Sequence, residues 1–279
     1  VFYDSGVPKY KSVMEFDGSG DYLDAGNSSD WDFGSADFTI ECWANADALP
    51  DQPRLIGDSG GNWYFRIGDC SGKKTISAYN GNFFCDDQHG IVNLGEWNHY
   101  AWSRASGTNR FFFNGNLISD STITDASMTT TNLYIGGGVS SQDVDGKMDQ
   151  IRISDNARYT ANFTVPTDRF TSDSNTKLLI QSDFTEGGIG ADHSGNYNYF
   201  TPNNLGAHDM VEDGPTNNFC TLNGADVDSG LPLTEGNLQG TNTGSAQWEQ
   251  AGSTFIVPKT GKWYWESCIK QDKAHLMLF

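Results

Sequence analysis

Three groups of residues in this chain have types and spacings that could do chemistry. Asp143, Asp145 and Asp149 stand close together at the start of one strand-like run, VDGKMDQIRIS. Several carboxylate and carbonyl oxygens around one point are what a Ca2+ ion requires. The competing use is structural, since aspartates also cap turns and accept from backbone amides. The second group is aromatic: Trp31, Trp63, Tyr64, Tyr79, Phe83 and Phe84 all lie near turn residues. An exposed ring can stack on the apolar face of a sugar while a few polar groups fix its orientation. Trp63, Tyr64, Tyr79 and Phe84 are the ligand-binding candidates, although a chain with 13% aromatic residues must bury most of them.

The third group is the one an enzyme would need, and it is incomplete. Glycoside hydrolysis uses two carboxyl groups flanking one bond, which a strand of a sandwich can supply at alternate positions. Glu41 stands alone in DFTIECWANA, and Asp149 is followed two residues on by Ile151. His99 and Ser103 share a strand face, but no nucleophile elbow accompanies them, and they read as a core pair. No catalytic residue is predicted, and binding ranks above catalysis.

The elements that must position these groups are strands. The run from Glu96 to Ile118, EWNHYAWSRASGTNRFFFNGNLI, alternates with period two and contains two turns. Its Asn114-Gly115 is the pair that two-residue type I′ hairpins favour. It predicts an antiparallel meander near the middle of a sheet, with Trp97, His99, Ala101 and Ser103 on one face. Further short strands follow at turn-punctuated intervals, and 32 glycines against 8 prolines describe a chain full of tight turns. No stretch has a convincing period of 3.6, so the fold class is all-β, an antiparallel two-sheet sandwich with negligible helix. A helical turn near Ala157 is the one exception considered. The core is expected to include Trp97, Ala101, Phe38, Ile40, Phe111, Phe113, Ile151 and Leu179. Lys177 to Phe184 should pair with Val13 to Phe16 and close the sandwich.

The net charge of -19 over 279 residues excludes nucleic acid as a ligand class, because binding phosphate needs clustered Lys and Arg. It also argues against docking on an anionic membrane by charge. Most of the acidity reads as solubility. No stretch is apolar for long enough to span a bilayer, and the N-terminus has no charged-then-apolar region, so secretion by a standard signal is not expected. The five cysteines lack metal-ligand spacing; Cys70 and Cys85 either bridge neighbouring strands or remain buried thiols. Asn27 and Asn162 begin glycosylation sequons that carry little weight without a secretory signal.

Five pieces, FDGSGDYL (16–23), FTIECW (38–43), WNHYA (97–101), FNG (113–115) and GKMDQIRIS (146–154), stand in an order that resembles the laminin-G-like or pentraxin-like jelly roll, a concanavalin A-type sandwich. The likeness covers about the first two-thirds of the chain, and Asn114 departs from a commoner Asp. It implies a structural calcium near the last of these pieces, with Asp17 and Asp149 as the positions to watch beside Asp145 and Asp143. The remainder, with DHSGNYNYFTPNNL (192–205) and GKWYWE (261–266), resembles segments of bacteriophage tail and particle-surface proteins, particularly of cyanobacterial phages. Its KWYWE strand is similar to the opening of a SPRY-like domain.

These readings imply an N-terminal linker (1–10), a jelly-roll domain (11–184), a Gly/Asn-rich connector (185–212) and the start of a SPRY-like β domain (213–279), expected to continue or to take a strand from another subunit. They imply a virion surface protein, a tail fibre or particle-attached fibre component, that binds a host surface glycan. Other virion proteins and copies of itself in a homo-oligomer would be its partners, without membrane insertion. A purely structural module contacting only protein is the alternative, and a glycoside hydrolase a distant third.

Overall fold

The computed structural model describes residues 12–49, 52–86, 88–89, 91–121, 128–139, 142–182, 189–198, 200–206, 209–211, 222–234, 239–241 and 250–253. The chain forms two compact units, Val1–Phe219 and Cys220–Phe279. Among the described residues no helix is long and apolar enough to cross a membrane.

In chain order the first unit comprises β1 (Val13–Asp17), β2 (Tyr22–Asp24), β3 (Phe38–Ala48), β4 (Arg54–Asp58), β5 (Tyr64–Cys70), β6 (Lys73–Tyr79), β7 (Phe83–Cys85), β8 (Asn98–Ala105), β9 (Thr108–Phe113), β10 (Asn116–Ser121), β11 (Leu133–Ile135), β12 (Asp145–Ser154), β13 (Thr176–Ile180), β14 (Thr201–Asn203) and β15 (Met210–Val211). The larger sheet runs β10-β9-β8-β3-β12-β1-β15, with β13 also on β12, and the smaller runs β14-β2-β11-β4-β5-β6-β7. All of these pairs are antiparallel. The second unit pairs β16 (Leu222–Val227) with β19 (Ala251–Ser253) and β17 (Leu233–Thr234) with β18 (Gln239–Gly240).

Alternation makes the sandwich. Phe38, Ile40, Trp102, Phe111, Ile151 and Ile153 of the larger sheet meet Leu55, Phe65, Ile67, Ile76, Leu133 and Ile135 of the smaller, all fully buried. The meander forms as β8, β9 and β10, and Asn114 (φ 47°) and Gly115 (φ 76°) make its second turn. It occupies one end of the larger sheet, however, with β10 at the edge, because β3 covers only one side of β8. Trp97 precedes β8 and is only half-buried, as is Phe113, so neither is a central core residue. Ala101 and Leu179 are buried outside the inter-sheet core cluster.

The expected closure is corrected. β13 pairs with β12, in the register Ile151↔Ile180 to Ser154↔Thr176, and not with β1. β12 is ten residues long, enough for two short strands end to end along one edge. β1 takes its first half, Met14 opposite Met148, and β13 its second. Where the two meet, Ser12 Oγ donates to the Ser182 carbonyl.

Other differences are local. No helix forms near Ala157; a 3-10 turn at Ser29–Trp31 forms instead, where the Ser28 hydroxyl accepts from the Asp30 amide at 3.2 Å. The stretch expected as a connector supplies β14 to the smaller sheet and β15 to the larger. Cys70 and Cys85 are bridged, their Cα atoms 6.0 Å apart, and Cys42 is a buried free thiol whose pKa burial pushes up. KWYWE, Cys220 and Cys268 lie outside the described residues.

One turn is sterically exacting. Gly136, directly after β11, has φ +85°, and a Cβ there would sit 2.1 Å from the Phe16 ring. Gly136→Ala therefore combines left-handed strain with overpacking, and a loss of about 2 kcal/mol is expected. Thermal melting checks this, and an unchanged midpoint would contradict the placement of Phe16.

Candidate functional site

The outer face of the smaller sheet carries a cluster of aromatic and cationic groups. β5 turns Phe65 and Ile67 into the core, which sends Tyr64 and Arg66 outward. β6 buries Ile76 and Ala78 and presents Ser77 and Tyr79, which face Arg66 and Tyr64 across the ladder. On β7, Phe83 pairs with Tyr79 and is 53% exposed. β4 has an irregularity between Arg54 and Ile56 that places both Leu55 and Ile56 in the core and sets Arg54 opposite Arg66. Gly57 faces Tyr64, and a Cβ on it would come within 2.9 Å of the Tyr64 Cβ, so glycine lets the tyrosine close on β4.

Tyr64 is the hub. Its ring stacks on Tyr79 with centroids 5.3 Å apart. The Arg54 guanidinium lies 4.4 Å and that of Arg66 4.7 Å from the Tyr64 centroid, with Arg66 also 5.3 Å from Phe83. Arg54 Nε donates to Gln142 Oε1 at 2.6 Å, and Arg66 Nε to Ser77 Oγ at 2.9 Å. Burial lowers the pKa of both arginines, and at Arg54 the neighbouring Arg66 adds to the effect. Further along the sheet, Tyr22 and Tyr134 form a second ring pair at 4.7 Å. Rings flanked by fixed guanidiniums can stack on a planar or pyranose face and donate to its oxygens.

Of the four aromatic candidates, Tyr64 and Tyr79 come together here. Trp63 does not: it is fully buried, and its Nε1 donates to Thr130 Oγ1 at 2.9 Å. Phe84 turns inward and stacks parallel on Phe111 at 4.0 Å. The cause is parity, because adjacent strand residues point to opposite faces. Trp31 is also fully buried, so of the neighbouring aromatics Phe83 joins the platform.

The aspartates are spread along the sandwich. Asp17 lies opposite Asp145 at the end of β1, whereas Asp149 sits four residues further along β12, opposite Trp43 of β3. That offset is about 13 Å at strand rise, so Asp17 and Asp149 do not meet at one point. Asp149 is buried and accepts from Gln150 Nε2 at 3.2 Å. Asp143 braces two loops, accepting from the Gly138 amide at 2.8 Å and the Gly20 amide at 3.0 Å. Burial raises the Asp145 pKa, and Asp47 and Asp17 raise it further. Among the described residues no three His, Cys, Asp or Glu side chains are grouped to hold a metal ion.

Glu41 is not alone in space. On the outer face of the larger sheet it is fully buried. Its Oε1 accepts from Arg152 Nε at 2.8 Å and lies 2.7 Å from Arg152 Nη2. Its Oε2 accepts from the Tyr159 hydroxyl at 2.9 Å and lies 3.0 Å from His99 Nε2. Burial alone would push Glu41 up, but the hydrogen bond with His99 and the Arg152 charge outweigh it and hold the carboxyl below its usual range. Both carboxylate oxygens are thus occupied, and Ser103 is engaged with Thr39 at 3.2 Å and not with His99. This is a structural knot.

The residues that sequence reasoning missed are Arg54 and Arg66. The signal was the alternation in YFRIGDC, which puts Arg66 on the face of Tyr64; the place of Arg54 depends on a strand irregularity and has no sequence mark.

Several comparisons bear on this fold. A laminin G family model, described as the concanavalin A-like lectin/glucanases superfamily, matches residues 17–162. No curated protein matches the chain. Among solved structures, a candidate carbohydrate-binding protein from Bacteroides ovatus superposes with a TM-score of 0.50 at 20% identity, covering 70% of this chain and 58% of that one. The chain thus spans less than two thirds of that protein's length. Domain 4 of the GH43 extracellular arabinanase AbnA from Geobacillus stearothermophilus, in complex with arabinotriose, gives 0.43 at 16% identity over 52% of this chain and 71% of that one. The heptameric SAP-like pentraxin from Limulus polyphemus gives 0.43 at 13% identity over 63% and 97%. The first likeness supports the sandwich fold. With the family model spanning more than half of its 279 residues, the chain belongs to the concanavalin A-like lectin/glucanases superfamily.

Proposed function

We propose that this chain is a non-catalytic glycan-binding protein and that the sugar lies on the outer face of the smaller sheet. The observation that carries the reading is the Tyr64–Tyr79 stack with Arg54 and Arg66 packed against it. Rings supply apolar stacking area at low conformational cost, and guanidiniums fixed through Nε hold their remaining N–H donors in place for a bound hydroxyl or acid. The buried Glu41, with both oxygens engaged, offers a hydrolase no exposed acid. The wider setting belongs to the same proposal: a fibre or particle-surface protein of a virus, carried in several copies. Its support is the sequence texture of 192–205 and 261–266. A shallow site of this kind gives modest affinity per copy, which several linked copies would raise by effective concentration.

Titration of the purified chain against a panel of polysaccharides tests the site. Tyr79→Ala should weaken binding about tenfold, within the range measured for lost aromatic stacking platforms. Tyr197→Ala should leave binding unchanged: that tyrosine is 76% exposed but follows Asn196, which is anchored on the Thr176 carbonyl of β13 in the larger sheet. Binding of no glycan at any valency would return the sandwich to a purely structural role.

A further inference from the structure

We propose that the sugar taken by this face is acidic, with its carboxylate or sulfate held between Arg54 and Arg66. The inference rests on the glycan-binding reading above and adds the chemical class of the ligand.

The chain has 36 acidic residues against 17 Lys and Arg, so an arginine without an acidic partner is the exception to explain. Other buried or half-buried arginines have a ready account. Arg152 meets Glu41 at 2.7 Å, Arg158 meets Asp173 at 2.8 Å, and Arg104 donates to the Gly34 and Ala36 carbonyls. Arg54 and Arg66 are 9% and 8% exposed, lie directly opposite each other on neighbouring strands, and have no ion pair among the described residues. Like charges placed opposite one another destabilise a strand pair, and a buried charge without a counter-charge is costly.

Among the described residues, the groups bonded to or stacked on them are neutral. Gln142 and Ser77 each accept from one Nε, the Asp58 carbonyl accepts from Arg54 Nη1 at 3.3 Å, and the Tyr64 ring lies against both. The Asp58 carboxylate acts on Arg54 from a distance, but its two oxygens already accept from the Asn62 and Thr131 amides at 2.9 and 2.6 Å. With each Nε engaged, and Arg54 Nη1 on the Asp58 carbonyl, the remaining terminal nitrogens are the donors left to a ligand. A carboxylate or sulfate matches that need twice, by bringing the missing charge and by offering several acceptor oxygens to a planar two-pronged donor. A neutral sugar brings acceptors alone. The net charge of -19 repels anions at long range, so preference for an acidic glycan has to come from this local pair.

The test compares acidic glycans with neutral counterparts at fixed ionic strength. The pairs are oligogalacturonate and its carboxyl-reduced form, sialyllactose and lactose, and a sulfated galactan oligosaccharide and its desulfated form. At least one acidic member is expected to bind about tenfold or more tightly than its counterpart, in keeping with the strength of charge-assisted bidentate bonds. The first two pairs report a carboxylate and the third a sulfate. Arg66→Gln should bring the acidic glycan down to the neutral level, whereas Tyr79→Ala should weaken both members together. The comparison of the paired glycans on the unaltered protein needs no variant, so it stands even if Arg66→Gln fails to fold. Equal affinity for both members of every pair would overturn the acidic assignment and leave the glycan-binding reading intact. Binding of no glycan of either charge would overturn both.

Discussion

Glu41→Gln is expected to lower the stability of the first unit by about 3–5 kcal/mol, because it leaves Arg152 buried without its counter-charge. For a unit of this size that corresponds to a fall in melting midpoint of about 6–20 °C. The carboxylate holds Arg152 of β12, His99 of β8 and Tyr159 of the segment that follows β12, so its loss loosens three parts of one face together. Tyr159→Phe removes one hydrogen bond and should cost only about 1 kcal/mol. Replacing Glu41 and Arg152 together by Leu and Met removes both charges and should recover most of the loss. The sign of the pH dependence follows from the depressed Glu41 pKa. Its contribution is present above the unfolded-state value near 4.5 and is lost as the pH falls through the lower folded-state value. Calorimetry of the three variants decides the matter: a Glu41→Gln protein as stable as the parent, or a double variant as weak as the single one, would refute the buried pair.

Tyr64→Ala should have the largest effect on ligand binding, about 1–3 kcal/mol or 5–150-fold in affinity, by comparison with other aromatic stacking platforms. It deletes one half of the tyrosine stack and the ring against which both guanidiniums rest. Phe84→Ala, on the neighbouring strand pair, should behave in the opposite way. That ring stacks at 4.0 Å on Phe111 in the core, so melting should drop while affinity for any glycan holds. Measuring affinity and melting on both variants therefore tests which face each ring occupies. Loss of binding in Phe84→Ala at unchanged stability would show the platform to be misassigned.

The contrast between these two rings shows how much was legible in the sequence. Period-two alternation announced the strands, and the Asn114-Gly115 pair announced its turn, since both depend on residues a few positions apart. Alternation did not settle parity at Trp63-Tyr64 or Phe83-Phe84, where two adjacent aromatics compete for one inward position and only cross-strand packing decides. Arg54 and Arg66 were invisible as a pair because their juxtaposition needs the β4–β5 register. Glu41 looked solitary for the same reason, its partners lying 58, 111 and 118 residues away. The closing strand was recognised as a strand but given the wrong neighbour, since nothing in KLLIQSDF tells β1 from the free half of β12. Asp17 and Asp149 were grouped by resemblance, and the ladder sets them apart.

The division of one edge of β12 between β1 and β13 has a kinetic consequence. β1 is made early, yet its principal partner is specified about 130 residues later, roughly 7–25 s at ordinary rates of synthesis. Throughout that interval Val13, Met14 and Phe16 have no sheet to join, and an apolar unpaired strand is a template for the wrong neighbour. Long-range pairing of this kind also makes folding slow relative to local hairpins such as β8–β9. Yield of folded protein should therefore be more sensitive to substitutions in β1 than its five residues suggest, and slower at high expression than stability alone would indicate.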